Sequence, residues 1–204
     1  MIARKKREWY PGAIYHIMGR GNRRQNIYED KTDYQYFLAL LSDIQKKMPF
    51  ELHSYCLMTN HFHLLLETKD KEIWHIMKRL MQLYTEYYNN KYGRTGHLFQ
   101  GRYRSCLVKD DAYFLQTSRY IHLNPVKAKM VLHPEDYLWS SYQTLIGMNH
   151  ASIVTTSRTL AYFKKPQSQA YRAFVEDTSI NMYFQESKIQ KNIGEEEEDL
   201  WLPW

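Results

Sequence analysis

The chain has 204 residues and 24.7 kDa, with 44% hydrophobic and 25% charged side chains, which excludes wholesale disorder and suits one packed domain with an extension. No run reaches the roughly 18 apolar residues of a membrane helix, and no apolar stretch backs the charged N-terminus as in a secretory signal. Net charge is +6 but uneven: residues 1–150 hold 22 basic and 14 acidic side chains, residues 151–204 hold 6 and 8, and a basic body suits a polyanionic partner such as nucleic acid.

In chain order, residues 13–19 (AIYHIMG) predict a strand that ends in a glycine-broken basic loop, Gly19-Arg20-Gly21-Asn22-Arg23-Arg24. A helix follows, with Thr32 and Gln35 at capping-box spacing, Tyr34, Phe37, Leu38, Leu41 and Ile44 at helical intervals, and Pro49 as its stop. Phe50–Met58 and His61–Glu67 read as two strands joined by the two-residue link Thr59-Asn60. A second helix is expected from about Lys71 to Tyr92, with Ile73, Met77, Leu80, Tyr84 and Tyr87 on one face and Gly93 and Gly96 as stops. Tyr103–Val108 is a fourth strand. Asp110 or Asp111 then caps a third helix expected to end near Asn124, before Pro125. Its packing face reads as Phe114, Leu115, Ser118, Ile121 and His122, with Tyr113, Gln116, Thr117, Tyr120 and Asn124 on another side.

The order β-α-β-β-α-β followed by a helix predicts an α+β, ferredoxin-like antiparallel sheet with two helices on one face, the other face left for a ligand or a further element. Past residue 150 only Ser168–Asp177 suggests a helix, and the chain closes on the acidic run Glu195–Asp199 with Trp201 and Trp204 behind it. Such a run is ordinarily a solvated tail; were it to fold back over the basic body, removing residues 195–204 would strengthen DNA binding at low salt. Cys56 and Cys106 are too few for a disulfide framework or a thiolate zinc site, and are expected to be buried small hydrophobes in a reducing cytoplasm.

The segment His61-Phe62-His63 carries the first chemical signal. Side chains alternate across a strand, so the two histidines share a face while Phe62, Leu64 and Leu66 mark the core face. Two neutral imidazoles at alternate positions make half of a metal site, and H-x-H is also a pattern that exposed strands produce by chance. The third helix offers Tyr120 and Asn124, four residues apart and hence stacked on its surface. The Asn124 amide oxygen would complete the protein ligands and set the Tyr120 hydroxyl beside the ion. Among 18 tyrosines, however, most must be core or surface.

Taken together these residues resemble the HUH single-tyrosine transposases, in which two histidines flank one hydrophobic residue and a helix supplies a tyrosine. The motifs carrying the resemblance are His61-Phe62-His63, residues 119–127 (RYIHLNPVK), residues 98–103 (LFQGRY) and the basic loop from Gly19 to Gln25, in the family's order over about residues 8–147. The branch most similar is the REP-associated tyrosine transposases, favoured by residues 137–142 (YLWSSY); Thr59 departs from a common proline without removing a ligand. The resemblance implies a catalytic domain at 8–147 and an extension of unassigned role at 148–204. It further implies cleavage and rejoining of single-stranded DNA beside hairpins through a covalent 5′-phosphotyrosine. Tyr120 would be the nucleophile and His61, His63 and Asn124 the metal ligands.

The chemistry fits those roles. A phosphodiester repels nucleophiles, and a divalent cation neutralises it and stabilises the charge that develops. The cation also favours the phenolate of a group whose ordinary pKa is about 10. Two imidazoles and an amide suit Mn²⁺, while cellular supply favours Mg²⁺, so activity is expected with either. Arg20, Asn22, Arg23 and Arg24 of the basic loop, with Arg102 and Arg104 flanking Tyr103, are the expected DNA contacts, against the alternative of a solvated basic face. The partner is thus single-stranded DNA with a hairpin, met at the nucleoid in the cytoplasm by a monomer or homodimer. No glycine loop of the phosphate-binding kind supports use of ATP. The competing readings are a regulatory hairpin-binding protein that no longer turns over, and a metal hydrolase with Glu67 as base.

Overall fold

The computed structural model describes residues 8–178; the acidic run and both terminal tryptophans lie outside the described residues. Four strands, β1 (Ile14–Arg20), β2 (Phe50–Met58), β3 (His61–Thr68) and β4 (Arg104–Val108), form one antiparallel sheet in the order β2-β3-β1-β4. With α1 (Lys31–Lys47) between β1 and β2 and α2 (Ile73–Tyr92) between β3 and β4, this is the ferredoxin-like arrangement expected from the element order.

Strand alternation sorts the core into two layers. Tyr15, Ile17, Leu57, Phe62, Leu64 and Leu66 pack with Phe37, Leu41, Met77 and Leu80 of α1 and α2. Ile14, Cys56, Met58, Leu65 and Val108 point the other way and pack with Phe114 and Ile121 of α3 (Asp111–Lys127). The second sheet face is therefore covered by the third helix, and His61 and His63 lie in that layer. Both cysteines are buried free thiols.

Close approach at one position is fixed by glycine. Gly19 pairs across the sheet with Phe62, and a Cβ there would stand 2.5 Å from the ring. Phe62 can therefore fill the core directly opposite Gly19 only because the smallest residue faces it.

Two helix ends differ from expectation. The capping box of α1 is Asp30 with Asp33, not Thr32 with Gln35: the Asp30 carboxylate accepts from the N–H groups of Thr32 and Asp33, and Asp33 accepts from that of Asp30. Asp30 is the last extended residue, which puts its carboxylate where the orphan N–H groups point. Helix α3 runs through Pro125 to Lys127 rather than stopping at Asn124. Proline removes the donor to the Ile121 carbonyl only, and bonding resumes beyond it: the N–H groups of Ala128 and Met130 donate to the carbonyls of Asn124 and Pro125, while the Asn124 side chain adds a bond to the Tyr120 carbonyl.

Beyond α3, the chain runs back along β2, forms the short α4 (Tyr142–Leu145) and α5 (Ser157–Ala161), and α6 (Gln167–Glu176) is the last helix among the described residues, close to the one expected at 168–177. A third cluster of Tyr142, Leu145, Tyr171 and Val175 sits behind α3. Enclosed by sheet and α6, α3 buries Thr117 and Arg119 as well as Phe114, Ser118, Ile121 and His122, while Leu115 is only half-buried. The single periodic face expected for it is too narrow for that reason. Among the described residues, no helix is long and apolar enough to cross a membrane.

Candidate active site and nucleic-acid interface

The site is assembled where β3, β1 and α3 meet. His61 and His63 lie on one face of β3 with ring centroids 5.1 Å apart and planes nearly perpendicular. From the helix above, the half-buried Tyr120 ring stands edge-on to His63 at 5.6 Å. The two histidines and the tyrosine singled out from sequence are thus brought together.

Asn124 follows Tyr120 by one turn, with its Nδ2 hydrogen-bonded to the Tyr120 carbonyl at 2.8 Å. That bond commits the nitrogen and fixes the carboxamide oxygen as the atom it can offer to a ligand.

Hydrogen bonds select the ring nitrogens of one histidine. Asn60 Nδ2 donates to the Arg24 carbonyl at 3.2 Å, which orients the amide so that Oδ1 meets His61 Nδ1 at 2.7 Å. An amide oxygen only accepts, so His61 carries its proton on Nδ1 and keeps the Nε2 lone pair. Burial holds the imidazoles neutral. It lowers His61 to about 4, helped by the nearby Arg20 charge, and pushes His63 well below its ordinary value with help from His61, His16 and Lys127. Uncharged imidazoles with a committed Nδ1 are the donor form that a divalent cation takes, so the residues present fit a metal.

Two participants escaped the sequence reading. His16, fully buried on β1, lies 3.0 Å from His63 Nδ1 through its Nε2 and stands 5.9 Å from the Tyr120 ring. A histidine inside the apolar run 13–18 was the available signal. Lys127 sets its ammonium 4.7 Å from the Tyr120 ring centroid. Its spacing of three from Asn124 and seven from Tyr120, one helical face, could have found it.

The basic residues gather at one end of the sheet. Arg20 is the cross-strand neighbour of His61, and both its Nε and Nη2 donate to Gln100 Oε1, at 3.2 and 2.9 Å. It is only 9% exposed, so it is built into the wall rather than projecting from it. Backbone bonds from Asn22 to Leu98 and from Gln100 to Arg20 zip the basic loop to the 98–102 segment. Arg23 and Arg24 are exposed, in consecutive left-handed conformations at φ 50° and 61°. Arg102 is exposed in the loop before β4, and Arg104 lies on β4 opposite Met18, on the histidine face.

A second cluster, Glu51, His53 and Glu67, has donor atoms within 4.8 Å of one another. Cations already occupy it: Lys69 reaches Glu51 at 2.6 Å and Glu67 at 3.2 Å, and Arg158 reaches Glu67 at 3.2 Å. It lies four residues along β3 from His63, about 13 Å. Glu67 is thus an ion-pair partner at the far end of the strand, too distant to serve the histidines as a base.

Comparison with known proteins bears on the fold and the family. The family model described as IS200-like transposase matches residues 10–124, more than half of the chain. Among solved structures, the chain is similar to a REP-associated tyrosine transposase bound to a REP hairpin, with a TM-score of 0.61 and 16% identity over 76% of this chain and 98% of that one. A putative transposase from Deinococcus radiodurans R1 is 20% identical over 58% of this chain and 95% of that one, with a TM-score of 0.41. No curated protein sequence matches. The shared sheet, the matched span and the helix that carries Tyr120 lead to one conclusion: the chain belongs to the IS200-like transposase family.

Proposed function

We propose that this transposase cuts and rejoins single-stranded DNA beside hairpins with Tyr120 as its nucleophile, in a catalytic unit spanning residues 8–147, with the following segment 148–178 bracing the tyrosine helix through α6. The observation that carries the proposal is the convergence of the Tyr120 ring on His63 at 5.6 Å, under a rim of arginines. That a REP-associated relative is bound to a REP hairpin favours the same class of substrate here, met at the nucleoid in the cytoplasm.

His61, His63 and Asn124 would hold a divalent cation, Mg²⁺ or Mn²⁺, which when bound neutralises the scissile phosphate and stabilises the charge that builds on it. The chain's own residues do the rest. The phenol oxygen of Tyr120 attacks phosphorus; the P–O3′ bond breaks, the P–O bond to tyrosine forms, and the proton lost by the phenol balances the one gained by the leaving 3′-hydroxyl. Lys127, with its charge over the ring, favours the phenolate over the phenol. Because the phosphoester energy is kept in the tyrosyl ester, a second 3′-hydroxyl can reverse the step without ATP. Arg23, Arg24 and Arg102 contact backbone phosphates, and Arg20 and Arg104 line the approach to the imidazoles.

The test is a labelled hairpin with a single-stranded flank, incubated with Mg²⁺ or Mn²⁺ and resolved under denaturing conditions. A covalent protein–DNA adduct is expected, lost in Tyr120→Phe and in thorough chelation while hairpin binding persists. An adduct that survives Tyr120→Phe would assign another nucleophile. Binding with no adduct at any metal concentration would instead make the protein a hairpin-binding regulator.

A further inference from the structure

His16, in direct contact with His63, has no role in the reaction above. It is fully buried, lies at the centre of β1 and shares the histidine face of the sheet, with Leu65 and Cys106 as its cross-strand neighbours. Its Nε2 lies 3.0 Å from His63 Nδ1, with the two rings stacked at 5.2 Å and 26° between planes. Its other nitrogen, Nδ1, is buried with no hydrogen-bond partner among the described residues, so the bond to His63 is the one directed interaction that explains a histidine there.

One proton lies on that nitrogen–nitrogen bond, and it can come from either ring. If His16 donates, His63 Nδ1 accepts, the His63 proton sits on Nε2, and no lone pair remains for a ligand. If His63 donates, its Nε2 lone pair is left for a ligand. Only the second arrangement matches His61, where Asn60 Oδ1 fixes the proton on Nδ1. We infer that His16 is a positioning residue whose Nε2 accepts the His63 Nδ1 proton and thereby fixes the ring and tautomer in which His63 Nε2 can hold a divalent cation. The inference rests on the reading that His61 and His63 are cation ligands.

The two imidazoles therefore have unlike supports. His61 is oriented by an adjacent residue on a surface turn that is itself bonded to the basic loop, whereas His63 is oriented by a buried ring on a neighbouring strand. Outer partners of ligating histidines commonly tune affinity 10- to 100-fold. His16→Leu removes the acceptor at similar volume, and His16→Gln restores an acceptor oxygen.

Mn²⁺ binding to the full-length protein, followed by the electron paramagnetic resonance signal of the free ion, reads the effect directly. His16→Leu is expected to weaken binding 10- to 100-fold and His16→Gln to recover most of it, at hairpin affinity equal to that of the parent protein. Nitrogen-15 histidine spectra of the full-length protein in chelator should show His63 already protonated on Nδ1, before an ion at Nε2 could impose that tautomer by itself. Unchanged Mn²⁺ affinity in His16→Leu, or a His63 proton found on Nε2, would overturn the inference. The spectrum of the parent protein decides the matter even if His16→Leu does not fold. His61→Ala and His63→Ala separate the two levels: if neither weakens Mn²⁺ binding, the cation reading itself fails and His16 falls with it; if both do and His16→Leu does not, only the role of His16 is lost.

Discussion

Lys127 places a full positive charge 4.7 Å from the Tyr120 ring, which would give up a proton in the proposed reaction. Removing it with Lys127→Met should slow adduct formation by at least about tenfold in single-turnover assays, with hairpin affinity little changed. Lys127→Arg should restore part of the rate, because charge rather than shape is what the phenolate needs. An equal loss of rate and affinity would instead mark Lys127 as a DNA contact. The buried imidazoles set a second expectation. Burial lowers His16 to about 3, His61 to about 4 and His122 to about 3, and it lowers His53 despite the opposing pull of Glu67. In the unfolded chain these rings titrate near 6.5. Below that pH the unfolded state takes up protons the folded state refuses, so stability is full above about pH 7 and falls as pH drops from 6.5 toward 4. Each ring can contribute up to ~1.4 kcal/mol per pH unit. Urea midpoints measured in chelator from pH 8 to 4.5 should show this decline. A flat profile would mean that the rings are charged in the folded protein.

At the level of elements, α1 and α2 are clamped through one carboxylate. Asp33 is fully buried, and Lys91 Nζ (2.8 Å), Tyr87 (3.0 Å) and Tyr92 (2.8 Å) all donate to it. Burial alone would raise its pKa; the hydrogen bonds from Lys91, the Glu29 N–H, Tyr92 and Tyr87 overcome that and hold it below the ordinary carboxylate range. Asp33→Ala removes the counter-charge of Lys91 and the acceptor shared by five donors, and should destabilise by about 3 kcal/mol, read as a lower urea midpoint at unchanged slope. Gly19→Ala should cost about 1–3 kcal/mol by driving Phe62 off its seat. These elements show what a sequence reveals. Phe62, Leu64 and Leu66 against His61 and His63 declare a strand and its two faces by period alone, so half of the site was legible. His16 was not, because its partner is 47 residues away and only strand register makes them neighbours. The α1 cap and the end of α3 were misplaced for the opposite reason: several residues satisfy a local rule, and tertiary contacts decide among them.

At the scale of the molecule, the arginines of the basic loop and the 98–104 segment form an edge rather than a face among the described residues. The loops that contain Arg23, Arg24 and Arg102 are joined by backbone bonds and end beside His61. Arg23→Ala and Arg102→Ala should each weaken hairpin binding for all sequences alike and reduce the steepness of its salt dependence by about 0.7–0.9 in log–log slope. A loss confined to one sequence would assign base contacts instead. The expected order of elements and the charge contrast located this edge in general terms, but the burial of Arg20 depends on Gln100, 80 residues away.

Arg119 has a consequence beyond stability. One residue before Tyr120, its guanidinium is sunk among the carbonyl oxygens of Phe174, Val175 and Asp177, at the C-terminal end of α6. That grip ties the tyrosine helix to α6, and Arg158 of the preceding α5 is in turn paired with Glu67 on the histidine strand, which opposes any exchange of the helix with another copy. Each polypeptide would then be a self-sufficient cutter, and an equimolar mixture of Tyr120→Phe and His61→Ala chains should stay as inert as either alone; recovered cleavage would mean that the mooring slips.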